Sequence, residues 1–121
     1  MTNTAKTLNT FANSFGLPAY STDTVPDNVP LPYITFPLTE PEWNQKATWY
    51  LQGWYRTKSN VELFAKVDEI IREIGTGLIL GTEGGYIVIY PESPLVQLLV
   101  DGDMRSFYIN LSINSFHSPG L

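Results

Sequence analysis

At 121 residues, 43% of them hydrophobic, the chain fits one domain and is long enough to bury a core without covalent staples. It has no cysteine, which excludes disulfides and thiolate metal sites and suits a reducing compartment. Seven Lys and Arg against twelve Asp and Glu give a net charge of −5, the wrong sign for tight, sequence-independent binding of nucleic acid. No apolar run approaches the ~20 residues that cross a bilayer, and no membrane partner is expected. Residues 1–15 lack the apolar stretch of a secretory signal.

The first predicted element is a helix over residues 2–15, where Leu8, Phe11, Ala12 and Phe15 recur at helical spacing and Gly16 and Pro18 end the pattern. Residues 17–32 carry Pro18, Pro26, Pro30 and Pro32 among Asp23, Asp27 and Asn28, and read as an extended loop. It is too long for an ordinary connection, which points to partner contact. A strand follows over residues 33–38, with Pro32 and Pro37 restricting it to a sheet edge or placing them at its ends. Residues 39–45 read as a loop with one helical turn, Thr39 capping and Glu42 three residues on.

Residues 47–56 form a strong strand: Trp49, Leu51 and Tyr55 on one face, Tyr50, Gln52, Trp54 and Arg56 on the other. Gly53 in its middle marks a bulge or a close backbone approach. The clearest element is a helix over residues 59–74. Ser59 and Glu62 match a capping box, and Leu63, Val67, Ile70 and Ile74, with Phe64 and Ile71 beside them, form the apolar stripe. Glu62 with Lys66 and Asp68 with Arg72 stand at the spacing of ion pairs worth ~0.2–0.5 kcal/mol each. Gly75 supplies the C-terminal stop.

A meander of strands follows: residues 78–80, a turn at 82–85, residues 86–90, a turn at 91–94, residues 95–100, a hairpin turn at Asp101-Gly102-Asp103, and residues 105–113. In the last strand Phe107, Ile109, Leu111 and Ile113 alternate with Ser106, Tyr108, Asn110 and Ser112, so one face meets a core and the other water or a polar partner. Residues 117–121 read as a tail. These elements predict a single α+β domain over residues 1–121: a two-layer, mostly antiparallel sheet with one long and one N-terminal helix packed on one face.

The chemistry-bearing residues do not converge on a catalytic, cofactor or metal motif. His117 is the only histidine, so zinc and a Ser–His–Asp triad lack partners for it. Asp101-Gly102-Asp103 has the residues of a hairpin turn and lacks the further ligands of a calcium loop. Glu40, Glu42 and Glu92 are carboxylates on proline-flanked loops, with no spacing that favours a glycosidase pair over solvated surface. The rings of Trp49, Tyr50, Trp54 and Tyr55 fall on both strand faces, so some lie away from the helix. These cover a second layer or meet another subunit, because interfaces are rich in Trp and Tyr. The candidate contact residues are Tyr20, Val25, Pro26 and Pro30 in and around the long loop, then Tyr33, Tyr50, Trp54, Arg56 and Tyr108 on strands.

Several residue runs, in shared order, resemble a known family. They are Phe15-Gly16-Leu17-Pro18-Ala19-Tyr20, Val25-Pro26, Leu31-Pro32-Tyr33-Ile34-Thr35, Trp54-Tyr55-Arg56-Thr57-Lys58-Ser59-Asn60 and Asp68-Glu69-Ile70-Ile71-Arg72-Glu73-Ile74-Gly75. Gly84-Gly85-Tyr86, Ile89-Tyr90-Pro91, Val100-Asp101-Gly102-Asp103 and Tyr108-Ile109-Asn110-Leu111-Ser112-Ile113-Asn114 continue the series. They belong to a match that spans about residues 11–119, and the chain resembles the tail terminator (tail completion) proteins of long-tailed bacteriophages that infect Gram-positive bacteria. The resemblance implies a non-enzymatic α+β virion protein that forms a ring, commonly a hexamer, at the head-proximal end of the tail. Such a ring is assembled in the host cytoplasm, stops polymerisation of the tail tube protein, and offers a surface to the head connector or neck protein. It implies no cofactor and no catalytic residue, and genomic DNA crossing an acidic pore without specific binding. A neck adaptor between portal and tail, and a small carbohydrate- or receptor-binding module, are the alternative readings.

Overall fold

The computed structural model describes residues 3–38 and 45–117. Helix α1 (Asn3–Ala12) runs into a 3-10 turn at Asn13–Phe15, and Gly16 ends it in the left-handed region at φ 79°. Leu8, Phe11, Ala12 and Phe15 are all buried, as their spacing requires. The segment after it is not wholly loop. Ala19–Ser21 forms strand β1, which pairs in parallel with β2 (Tyr33–Phe36). Three residues behind a proline are too few to show alternation, so the strand exists by pairing rather than by propensity. The prolines flank β2 as expected, but β2 lies inside the sheet between β1 and β3 (Lys46–Arg56), not at its edge. Thr39, Glu40 and Glu42 lie outside the described residues.

Helix α2 (Val61–Ile74) buries Leu63, Val67, Ile70 and Ile74, whereas Phe64 stays 44% exposed. The expected capping box does not form. Asn60 is the N-cap residue, and Ser59 Oγ accepts from the Val61 N–H at 3.2 Å. The Asn60 side-chain oxygen is drawn off by the Arg105 guanidinium at 2.8 Å. Lys66 turns to Glu69 at 3.3 Å rather than to Glu62, and donates to the Phe15 carbonyl, tying α2 to the end of α1.

Strand β4 (Leu78–Thr82) turns into β5 (Gly85–Asp101), and Gly102 at φ 62° leads into β6 (Met104–His117). The expected turn at residues 91–94 is a bulge inside β5. Pro91 faces Leu111 and Val96 faces Ile109, so four residues of β5 stand opposite Asn110 alone. Asn110 Nδ2 bridges the gap by donating to the Pro94 carbonyl at 2.6 Å. No described strand flanks this part of β5 on its far side, so two prolines cost no ladder bond there. His117 pairs with Gly85, so the strand reaches the residue at which a tail was expected; residues 118–121 lie outside the described set.

The result is an α+β domain with one mixed sheet, ordered β1-β2-β3-β6-β5-β4, antiparallel except for β1 with β2. Helix α1 touches both β1 and β4, the strands at opposite ends of that order, so the sheet curls around the helical layer. The core fills the concave side: Ile34, Phe36, Trp49, Leu51, Phe107, Ile109, Leu111 and Ile113 from the strands meet the apolar stripes of both helices. Gly53 shares this face and marks a close approach, not a bulge. A Cβ there would lie 2.1 Å from Phe107 Cε2.

Gly53→Ala forces the buried Phe107 ring to move and is expected to destabilise the fold by about 1–3 kcal/mol in urea unfolding. Gly81→Ala, with open space at its Cβ, should change stability by less than about 0.5 kcal/mol. Tyr55 is buried, and burial, helped by the Glu62 and Glu69 carboxylates, pushes its phenol up to about 12. Its ordinary value is 10.0, so between those values the folded chain holds a proton the unfolded chain has lost. Unfolding free energy should therefore fall as pH rises from 10 towards 12. Tyr55→Phe should flatten that slope.

Candidate functional site: the outer face of the sheet

Residues that alternate with the core point to the convex side, which neither helix covers, although Thr35, Ser106 and Ser112 are buried among their neighbours on it. From β1 to β6 they are Tyr20, Tyr33 and Thr35, then Tyr50, Gln52, Trp54 and Arg56, then Ser106, Tyr108, Asn110 and Ser112. The register brings six of the nine expected contact residues together on this face: Tyr20, Tyr33, Tyr50, Trp54, Arg56 and Tyr108. Val25, Pro26 and Pro30 are separate, on the connection between β1 and β2, where Val25 is half-buried and both prolines are exposed.

The rings are held against one another. Tyr20 meets Tyr33 edge-on at 5.9 Å between centroids, and Tyr50 stacks on Tyr108 at 4.5 Å. Trp54 donates its indole N–H to Thr35 Oγ1 at 3.0 Å, which ties the ring to β2. Tyr50 Oη lies 3.4 Å from Thr22 Oγ1, and Gln52 Nε2 donates to Ser106 Oγ at 3.5 Å. Burial, together with the neighbouring Tyr50 phenol, holds the Tyr108 phenol above its ordinary range. The two rings meet face to face, through their apolar surfaces. That pattern suits a surface whose rings are anchors for a protein neighbour.

The face continues past the expected residues. Tyr86 stacks on Phe116 at 4.9 Å, and the Lys46 ammonium sits 5.2 Å from the centre of the Tyr90 ring. At the β5 bulge, Glu92 accepts from Ser112 Oγ at 2.8 Å and pairs with Lys46 at 3.6 Å. Glu92 is thus engaged in fastening the bulge, though the exposed ion pair itself adds little. Phe116 was legible only once β6 was known to continue to His117, whereas Tyr86 and Tyr90 alternate with Ile87 and Ile89 inside the strand expected over residues 86–90 and were not singled out.

One end of the face is clamped to the helical layer. Arg105 donates from Nε to the Thr57 carbonyl at 3.1 Å, from Nη1 to Asn60 Oδ1 at 2.8 Å and from Nη2 to the Lys58 carbonyl at 3.3 Å. The Thr57 N–H donates to the Asp103 carbonyl at 2.7 Å, and Arg56 lies 3.7 Å from the Asp103 carboxylate. A depression of about 430 Å³ opens beside Trp54, lined in part by Leu99, Val100, Met104 and Ser106. Asp101 and Asp103 occupy the hairpin turn read from the sequence. Among the described residues no group of three or more His, Asp or Glu could hold a metal ion, and no helix is long and apolar enough to cross a membrane. No family model and no curated protein matches the chain.

Arg105→Met keeps the stem and removes three donors, leaving the Thr57 and Lys58 carbonyls and the Asn60 amide without their partner. The expected cost is about 1–3 kcal/mol, with faster amide exchange at Met104 and Thr57 than at Ile109 in the same variant.

Proposed function

We propose that this protein is a non-catalytic structural subunit that works by docking its uncovered aromatic face onto protein neighbours, and that it is the tail terminator of a long-tailed bacteriophage. The observation that carries the first part is the convex face itself. It gathers Tyr20, Tyr33, Tyr50, Trp54 and Tyr108, half-buried and locked by ring contacts and by the Trp54–Thr35 bond, with no described layer over it. Rigid, partly buried rings dock at low entropic cost. The second part rests on the ordered runs that resemble tail terminators.

In this reading, copies close into a ring through a heterologous interface, commonly with six members. One side of the ring caps the tube protein and the other receives the head connector or neck protein. The ring sits in the virion at the head-proximal end of the tail. The net charge of −5 suits a wall past which DNA must slide without sticking. The rings of Tyr50 and Tyr108 are stacked on each other, which leaves less ring face for a sugar and favours a protein neighbour over a carbohydrate.

A phage lacking this chain is expected to make tails of uncontrolled length that fail to join heads. Tails of normal length left unattached would instead identify a neck adaptor. Trp54→Asp and Tyr108→Asp should each remove about 2 kcal/mol or more of association energy and fail to complement, while the isolated variants keep a wild-type circular dichroism spectrum. Full complementation by both would remove the outer face from the account.

A further inference from the structure

The two ends of the sheet are finished differently. At the β1 end three of the backbone groups that face away from β2 are already engaged. The Ala19 N–H donates to Asn13 Oδ1 at 3.0 Å, the Ala19 carbonyl accepts from Asn13 Nδ2 at 3.4 Å, and the Ser21 carbonyl takes the Thr24 N–H at 3.0 Å. Those bonds occupy most of that edge. At the other end β4 borders β5 only through Gly85–Ile89. Past the bulge, residues 95–101 pair with β6 on one side and have no described strand on the other. This stretch carries Leu98, Leu99 and Val100 at 38%, 56% and 58% exposure. The prolines that would block strand addition stand at 91 and 94, before it begins. An apolar, unprotected edge is a template for pairing.

We infer that residues 95–101 pair antiparallel with the same segment of a second copy of the chain. The segment is self-complementary about Leu98. In that register Val96 faces Val100, Gln97 faces Leu99, and Leu98 faces its own counterpart. Val96, Leu98 and Val100 stand opposite Ile109, Phe107 and Arg105 of β6, on the concave side, so the two copies join apolar rows into one band. The only charged residue of the segment, Asp101, meets Leu95 instead of another carboxylate. An acidic chain thus meets itself along this ladder with no like charges opposed. The contact is two-fold and so cannot itself be the repeating contact of a closed ring. The inference is a property of the chain alone and does not rest on the proposed role in tails.

The absence of cysteine makes the test direct, because one introduced thiol reports one position. The wild-type chain is expected to run in light scattering at twice its 13.6 kDa mass. A short thiol crosslinker should join Leu98→Cys into a covalent dimer. Ile79→Cys, on the exposed side of β4, should stay single. Val100→Lys, with an unchanged circular dichroism spectrum, should weaken the dimer by about 30-fold. A monomer at every concentration up to ~1 mM, a dimer that position 98 fails to crosslink, equal crosslinking from position 79, or an edge occupied only by another protein's strand would each overturn the inference. None of these results alters the tail-length phenotype, so the two readings fail separately.

Discussion

The architecture depends on β6, which pairs over most of its length with a strand on each side. β6 pairs with β3 from Met104 to Asn114 and with β5 from Met104 to His117. Its strict alternation therefore divides the whole sheet into two faces. Phe107, Ile109, Leu111 and Ile113 point into the core and are buried. Ser106, Tyr108, Asn110 and Ser112 point outward and organise the rings, the bulge and the Glu92 anchor. A slip of one residue would exchange the faces and place four apolar side chains in water. Gly53 adds to this constraint, since the Phe107 ring occupies the place a side chain would take and so holds β3 and β6 in their register.

That dependence explains what was legible in the sequence. Elements with many residues and a clear period were readable: α1, α2, β3 and β6 match their expected positions to within a few residues, and so do their buried stripes. Gly16, Gly75 and Gly102 take the positive φ that their places at helix ends and a hairpin turn suggest. Elements made by partners were not readable. β1 has three residues and owes its existence to the Pro18–Ile34 and Thr22–Phe36 bonds. The run Pro91-Glu92-Ser93-Pro94 has the composition of a turn, yet β6 is continuous opposite it, so the chain bulges and resumes the same strand. Ser59 has the spacing of a capping box, but Arg105, forty-five residues on from Asn60, reorganises that helix start. Long-range partners overrode local signals in each case.

The outer face was legible in part for the same reason. Tyr50, Trp54 and Tyr108 were expected on it because β3 and β6 alternate cleanly. Phe116 extends it because β6 continues further than composition indicates, and Tyr86 and Tyr90, inside the strand expected over residues 86–90, join it through their register with β6. Val25, Pro26 and Pro30 joined the expected set on loop composition alone, and the fold leaves them on a connection beside the face. Function in this account is carried by shape and by the rigidity of packed rings. It asks of the sequence a particular periodicity in the strands more than any single reactive side chain.

The most direct measurement is hydroxyl-radical footprinting of this chain in purified phage tails against the same chain free in solution, read by mass spectrometry. The chain is expected to be present in tails, with Tyr50, Trp54 and Tyr108 oxidised several-fold less there than in the free protein. Its absence from tails, or equal oxidation of those rings in both states, would contradict the account.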